Sequence, residues 1–339
     1  MTAQTTEQLE PVEGEPSGAR PAGAEPAGAA ELTGGGLAGA AELTGGKPAR
    51  ATEPELFGPG DLFWSLNGHY LYAATLGSAF ILQVMHPAIG AVVDRWSVYR
   101  TDPWGRAARS FASTQTWVYG GPTALEEGQR LRRMHRTLNT VDDQGRNHHA
   151  LAAEPWAWVP LTAFHALLSY ARYFLPRPLT AAQEEQGYRE TLRICRILQV
   201  PERMLPPTPD AYWAYFDDMI DNHLENHPTA HNVLATAAKS PPPAGLPAPL
   251  RRLWGPAGRA GGELNRLVTV GTLPPAARDK LGLTWTRSDE LELRAAGAVA
   301  GRLNAALPER LRYMPIAYHA RRAARANHNL AQALVTRPI

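Results

Sequence analysis

The chain has 339 residues, 44% of them hydrophobic, with 34 Lys and Arg against 32 Asp and Glu for a formal net charge of +2. That balance excludes a polyanion-binding surface as the organising feature, because nucleic-acid binders concentrate basic charge on one face. The apolar fraction suffices for one large core. The single cysteine, Cys195, excludes an internal disulfide and a thiolate zinc site, and it reads as a small buried apolar residue.

Residues 1–54 are rich in Ala, Gly, Glu and Pro and carry the segment AGAAELTGG twice, at 27–35 and 38–46. Such a stretch cannot bury enough apolar surface to offset its chain entropy, so a disordered tail is expected, followed by one helical domain over 55–339. Residues 1–11 offer neither a basic nor an apolar signal region, which makes the cytoplasm the expected location. The stretch 62–93 has no Asp, Glu, Lys or Arg and is long enough to span a bilayer at about 20 residues per crossing. Asn67, His69, Gln83, His86 and Pro87 interrupt it, so a buried core helix is preferred to a membrane span.

Beyond Glu55 the apolar residues recur with helical period. A helix is predicted over 123–138, opened by a Thr123/Glu126 capping box, with Leu125, Leu131, Met134 and Leu138 on one stripe beside Arg130, Arg132, Arg133 and Arg136. A second runs from about Pro155 to Leu175 through Trp158, Leu161, Phe164 and His165. A third starts at the Thr180/Gln183 box, carries Tyr188, Leu192 and Cys195, and stops before Pro201. A fourth starts at Thr208-Pro209 and carries Tyr212, Tyr215, Phe216, Met219 and His223 on one side. Two more lie within 249–270 and 288–307, joined by a short helical connector. With no strand pattern, the fold class is all-α, an irregular multi-helix bundle.

No phosphate loop, nucleophile elbow or zinc-ligand spacing appears, which removes the commonest hydrolase, nucleotide and zinc readings. Chemistry then falls to the histidines. Of the 11, His86, His135, His165 and His223 lie on apolar helical faces or at their ends, where a hydrogen-bonded core histidine competes with a ligand. The pair His148-His149 lies in the loop DDQGRNHH and is expected to face solvent.

The run LQVMHPAIGAVVDRWSVYRTDPWGRAAR (82–109), Glu127-Gly128 and Arg132-Arg133-Met134-His135 resemble the mpaB and latex-clearing (rubber) oxygenase catalytic domain. Three later blocks, at 198–220, 267–285 and 307–315, continue the resemblance in the same order. It implies an all-helical fold around haem b, whose iron binds O2 and oxidises a hydrophobic, unsaturated, isoprenoid-like small molecule. The stretch holding Arg132 and His135 corresponds to the catalytic arginine and lysine beside bound O2 in the rubber oxygenases, and the two side chains share a helix face. Arg132 is also a candidate to meet the haem, or else a solvated partner of Glu126 or Gln129. His86 matches a family position and is either a cofactor-pocket group or a hydrogen-bonded helix end.

One position departs from the family. The helix after the loop reads W-V-H in most relatives, its histidine being the expected iron ligand, whereas this chain reads Trp158-Val159-Pro160. His165, five residues on and about 140° around an ideal helix, is the substitute metal ligand if a bend at Pro160 re-aims it. Otherwise it is a core histidine. The alternative function is then a non-catalytic member that binds haem or an apolar ligand after losing the usual proximal histidine.

Overall fold

The computed structural model describes residues 54–239, 242 and 246–336. The tail expected over 1–54 therefore lies, except for Pro54, outside the described residues.

In chain order, α1 (Leu62–Leu66) and a 3-10 turn (Tyr72–Thr75) lead into α2 (Leu76–Met85), α3 (Pro87–Trp96), α4 (Pro103–Tyr119) and α5 (Thr123–His135). A small antiparallel hairpin, β1 (Asn139–Val141) with β2 (Asn147–His149), precedes α6 (Ala153–Phe174) and α7 (Ala181–Ile197). α8 (Pro209–Asp218) passes into a π turn (Met219–His223), and α9 (Pro228–Lys239), α10 (Ala248–Gly271), α11 (Pro275–Lys280), α12 (Arg287–Ala306), α13 (Glu309–Arg312) and α14 (Pro315–Thr336) complete the chain. The fold is all-α, as expected. The hairpin is the one departure among the described residues. Asp142 Oδ1 accepts from the backbone N–H groups of Gln144 (3.0 Å) and Arg146 (2.9 Å), turning the DDQGRNHH loop back on itself.

α6 is the central helix and packs against α2, α7 and α12. Its buried Trp158 donates Nε1–H to the Leu82 carbonyl (3.0 Å), tying α6 to α2. Phe164 meets Tyr188 of α7 and Tyr212 of α8 at ring separations of 5.2 and 5.1 Å, both edge-on, so α7 and α8 close over one aromatic cluster. The uncharged stretch 62–93 is no single rod. It divides into α1, the 3-10 turn, α2 and α3, with α2 buried against α6, α9 and α10. Among the described residues no single helix is long and apolar enough to cross a membrane; Tyr72–Met85 and Pro87–Trp96 qualify only jointly, across a 104° bend.

The two predicted capping boxes part company. Thr180 and Gln183 close theirs reciprocally, at 3.3 Å and 3.0 Å. Thr123 makes no such bond, because Gly121 turns the chain in the left-handed region (φ +54°) and Pro122 is already helical, which puts Thr123 inside the helix. α5 then lies hard against α7. Only the missing Cβ of Gly128 permits this, since a side chain there would meet the Ile197 carbonyl.

Candidate functional site

A cavity of about 1300 Å³ opens between α2, α3, α4, α5 and α6, with α9 and α10 lining its far side. Its walls are mainly apolar. Trp96, Val98, Trp104 and Met134 line it and yet remain 44–50% exposed, which marks where it reaches solvent.

His135 ends α5 and lines this cavity. Its Nδ1 lies 2.8 Å from the Leu131 carbonyl. A carbonyl only accepts, so Nδ1 carries the proton and Nε2 keeps its lone pair. No hydrogen-bond partner for Nε2 occurs among the described residues. The ring stands edge-on to Trp156 of α6, at 5.2 Å. Burial lowers the His135 pKa, the Leu131 hydrogen bond opposes this, and Arg106 and Arg130 add to the lowering, so the imidazole is neutral at pH 7. His149 also lines the cavity, but both its nitrogens are engaged, Nε2 with the Arg136 carbonyl (3.0 Å) and Nδ1 with the Leu151 N–H (3.1 Å).

The structure does not bring the other predicted site residues into the cavity. Pro160 lines it, and α6 runs unbroken through that proline, so His165 keeps its separate bearing. His165 Nε2–H donates to the Thr272 carbonyl (2.8 Å), and its ring stacks on Phe216 at 5.2 Å; burial lowers its pKa. His86 is buried and caps α3, its Nδ1 accepting from the Ala88 N–H (3.2 Å) while Nε2–H donates to Glu154 (3.1 Å). Glu154 takes His223 Nδ1 as well, at 3.2 Å. Arg132 donates to the Gln199 carbonyl (3.1 Å) and lies 6.0 Å over the Trp156 ring, contacting neither Glu126 nor Gln129. It thereby steadies the left-handed turn at Gln199 (φ +55°) that ends α7. Arg132 and His135 thus share Trp156, as their spacing requires, but only His135 reaches the cavity.

Residues other than histidines complete the cavity wall. Gln83 Nε2 donates to Thr162 Oγ1 (2.8 Å) and the Val159 carbonyl (3.3 Å), bracing the wall beside Pro160. Trp117 presents a buried Nε1–H with no partner among the described residues. Arg106 bonds Ser110 Oγ and lies 4.6 Å over the Phe80 ring. Its signal was present in the block RTDPWGRAAR. Glu127 is held by Arg130 (2.6 and 2.7 Å) and Ser113 (2.6 Å); the Arg130 contact lowers its pKa most, so it stays ionised and is a poor reservoir of protons. Among the described residues no group of three or more His, Cys, Asp or Glu is placed to hold a metal ion.

Comparison with known proteins gives one family. The model described as ER-bound oxygenase mpaB/B'/Rubber oxygenase, catalytic domain, matches residues 64–302. An uncharacterized protein of Mycobacterium bovis is 26% identical over 220 residues, covering 62% of this chain and 80% of its own. An uncharacterized protein of Mycobacterium tuberculosis matches with the same figures, 26% over 220 residues, 62% and 80%. No solved structure matches.

Proposed function

Since the chain belongs to the mpaB and rubber oxygenase catalytic-domain family, we propose that it is a haem b-dependent oxygenase acting with O2 on a hydrophobic, unsaturated, isoprenoid-like small molecule. The observation that carries this reading is His135, a neutral imidazole with an unengaged Nε2 in the wall of a large apolar cavity. One imidazole suits an iron that already sits in a porphyrin, whereas a bare ion needs several protein donors. The residues present therefore fit the group through His135, in place of His165, whose Nε2 is committed to Thr272.

When bound, haem supplies iron that binds and activates O2. The chain's own part is to hold and to exclude. Leu131 fixes the His135 tautomer, leaving an Nε2 lone pair that would hold the haem iron, and Trp156 fixes its ring plane. Arg132 acts as a positioning residue by holding Trp156 and the Gln199 turn behind His135. The apolar walls keep water from the substrate, and Gln83 with Thr162 holds the Pro160 wall in one geometry.

Haem titration followed by its Soret band tests this. Wild type is expected to shift the band on binding, His135→Ala to lose that ligand signature, and His165→Ala to retain it. Loss in His165→Ala with retention in His135→Ala would return the ligand role to His165. A folded wild type that refuses haem at saturation ends the haem reading. Pro160 favours a second reading, because it lines the cavity where relatives carry a donor and brings none: a family member that binds its ligand without turnover. Oxygen uptake with a polyene alkene separates the two, since a binding protein consumes none.

A further inference from the structure

Arg106 is a half-buried cation in the cavity wall without an anion. Its contacts are Ser110 Oγ, one turn on, and the face of Phe80. Among the described residues no carboxylate lies within ion-pair distance of it. The acids nearby are taken: Asp102 faces Arg109 at 3.3 Å, and Glu127 is bound by Arg130 and Ser113. Burial lowers the Arg106 pKa and Arg109 presses in the same direction, as befits a desolvated charge. A buried guanidinium left unpaired is costly, and an incoming anion relieves that cost.

We propose that Arg106 binds the carboxylate of a large apolar acid occupying the cavity, with the apolar walls and the Trp96 and Trp104 mouth taking its body. The number of charges selects the anion. Arg106, Arg109, Glu127 and Arg130 are the charged residues that line the cavity, and two of the three cations already face acids. One free guanidinium matches a monoanion bidentately and falls short of a phosphate or diphosphate. Two sources share this chemistry, a propionate of haem and the acid group of a long-chain or isoprenoid substrate. In its substrate arm the inference deepens the oxygenase reading; the binding itself needs only the cavity and Arg106.

The test uses the full chain, apo and haem-loaded, and a fluorescent long-chain polyene acid (cis-parinaric acid) beside its methyl ester. Apo wild type is expected to bind the acid about 10- to 100-fold tighter than the ester, the range for a charged hydrogen bond in a buried site. Arg106→Gln is expected to bind both alike, and Arg106→Lys to keep part of the preference. Arg106→Gln should melt no lower than wild type, because it removes an unpaired charge; a lower melting point would indicate a structural ion and count against the proposal. A preference that survives haem loading assigns the carboxylate to the substrate. A preference abolished by haem, with haem retention weakened in Arg106→Gln, assigns it to a propionate. Equal binding of acid and ester by apo wild type, with haem retention unaffected in Arg106→Gln, overturns the proposal. If haem never binds, the acid and ester comparison still decides.

Discussion

Acid should destabilise this protein through His69, by an amount the structure sets. His69 is 7% exposed, its Nδ1 lies 2.8 Å from the Tyr170 hydroxyl, and its Nε2 is buried with no partner among the described residues. Burial first, then Arg312 and Arg321, lower its pKa from 6.5 to about 4. In the unfolded chain it regains a value near 6.5. The unfolded state therefore takes up a proton at a higher pH than the folded state, so stability is complete above pH 6.5 and drains away as pH falls toward 4. A difference of about 2.5 between the two values, at about 1.36 kcal/mol each, amounts to roughly 3 kcal/mol. His69→Gln removes that titration. Urea unfolding from pH 7.5 to 4 should show wild type losing about 3 kcal/mol more than the variant over this window. His86, His135, His165 and His227, also lowered by burial, act with the same sign in both proteins and cancel in the comparison. Curves that run parallel to within about 1 kcal/mol would refute the reasoning.

Three further perturbations follow from the packing. Pro160 in the interior of α6 cannot donate to the Trp156 carbonyl, a fault of roughly 3 kcal/mol, of which its buried methylenes and its restraint on the unfolded chain return roughly 2. Pro160→Ala should then gain about 1 kcal/mol, a rise of about 2–4 °C by scanning calorimetry, and a fall would contradict it. Glu190, 2% exposed, accepts from the N–H groups of Leu62 (2.8 Å) and Phe63 (2.7 Å). Glu190→Ala strands both donors and should cost about 2–4 kcal/mol in denaturant unfolding, after allowing for the relief of a buried carboxylate. Gly128→Val drives a side chain into the Ile197 carbonyl and should cost on the order of 2 kcal/mol or more in denaturant unfolding. Unchanged stability there would show that α5 and α7 separate freely.

What the sequence made legible was whatever depends on local pattern. The Thr180 cap, the Thr208-Pro209 start of α8 and the buried Cys195 all follow from neighbours within a turn. The Thr123 cap did not, since Gly121 and Pro122 act before it. The hairpin was hidden because three-residue strands carry no alternation that can be read. At the site, His135 was visible as a histidine on a helix, whereas Arg106 gains its place only when α2 brings Phe80 over its guanidinium, a contact between residues 26 apart that no local pattern carries. For His86 the residues left a pocket group and a hydrogen-bonded helix end open; the proline that follows opens α3, and the ring caps it.

The loss at Pro160 and the position of His135 bear on each other. Trp156 stands one helical turn before Pro160, and the His135 ring packs against it, so an imidazole from α5 lies beside the wall that Pro160 lines. Gly128 makes this approach possible by letting α5 sit against α7 without a side chain between them. If His135 holds iron as proposed, it does not also shuttle protons, and with Glu127 held ionised by Arg130 the same wall offers no second acid. What remains in the cavity wall is a fixed donor, Arg106, which suits the binding of an anion or a polarised oxygen better than the transfer of a proton. Moving the ligand from α6 to α5 would thus change the division of labour as well as the address, leaving orientation and polarity as the contributions this chain makes to its chemistry.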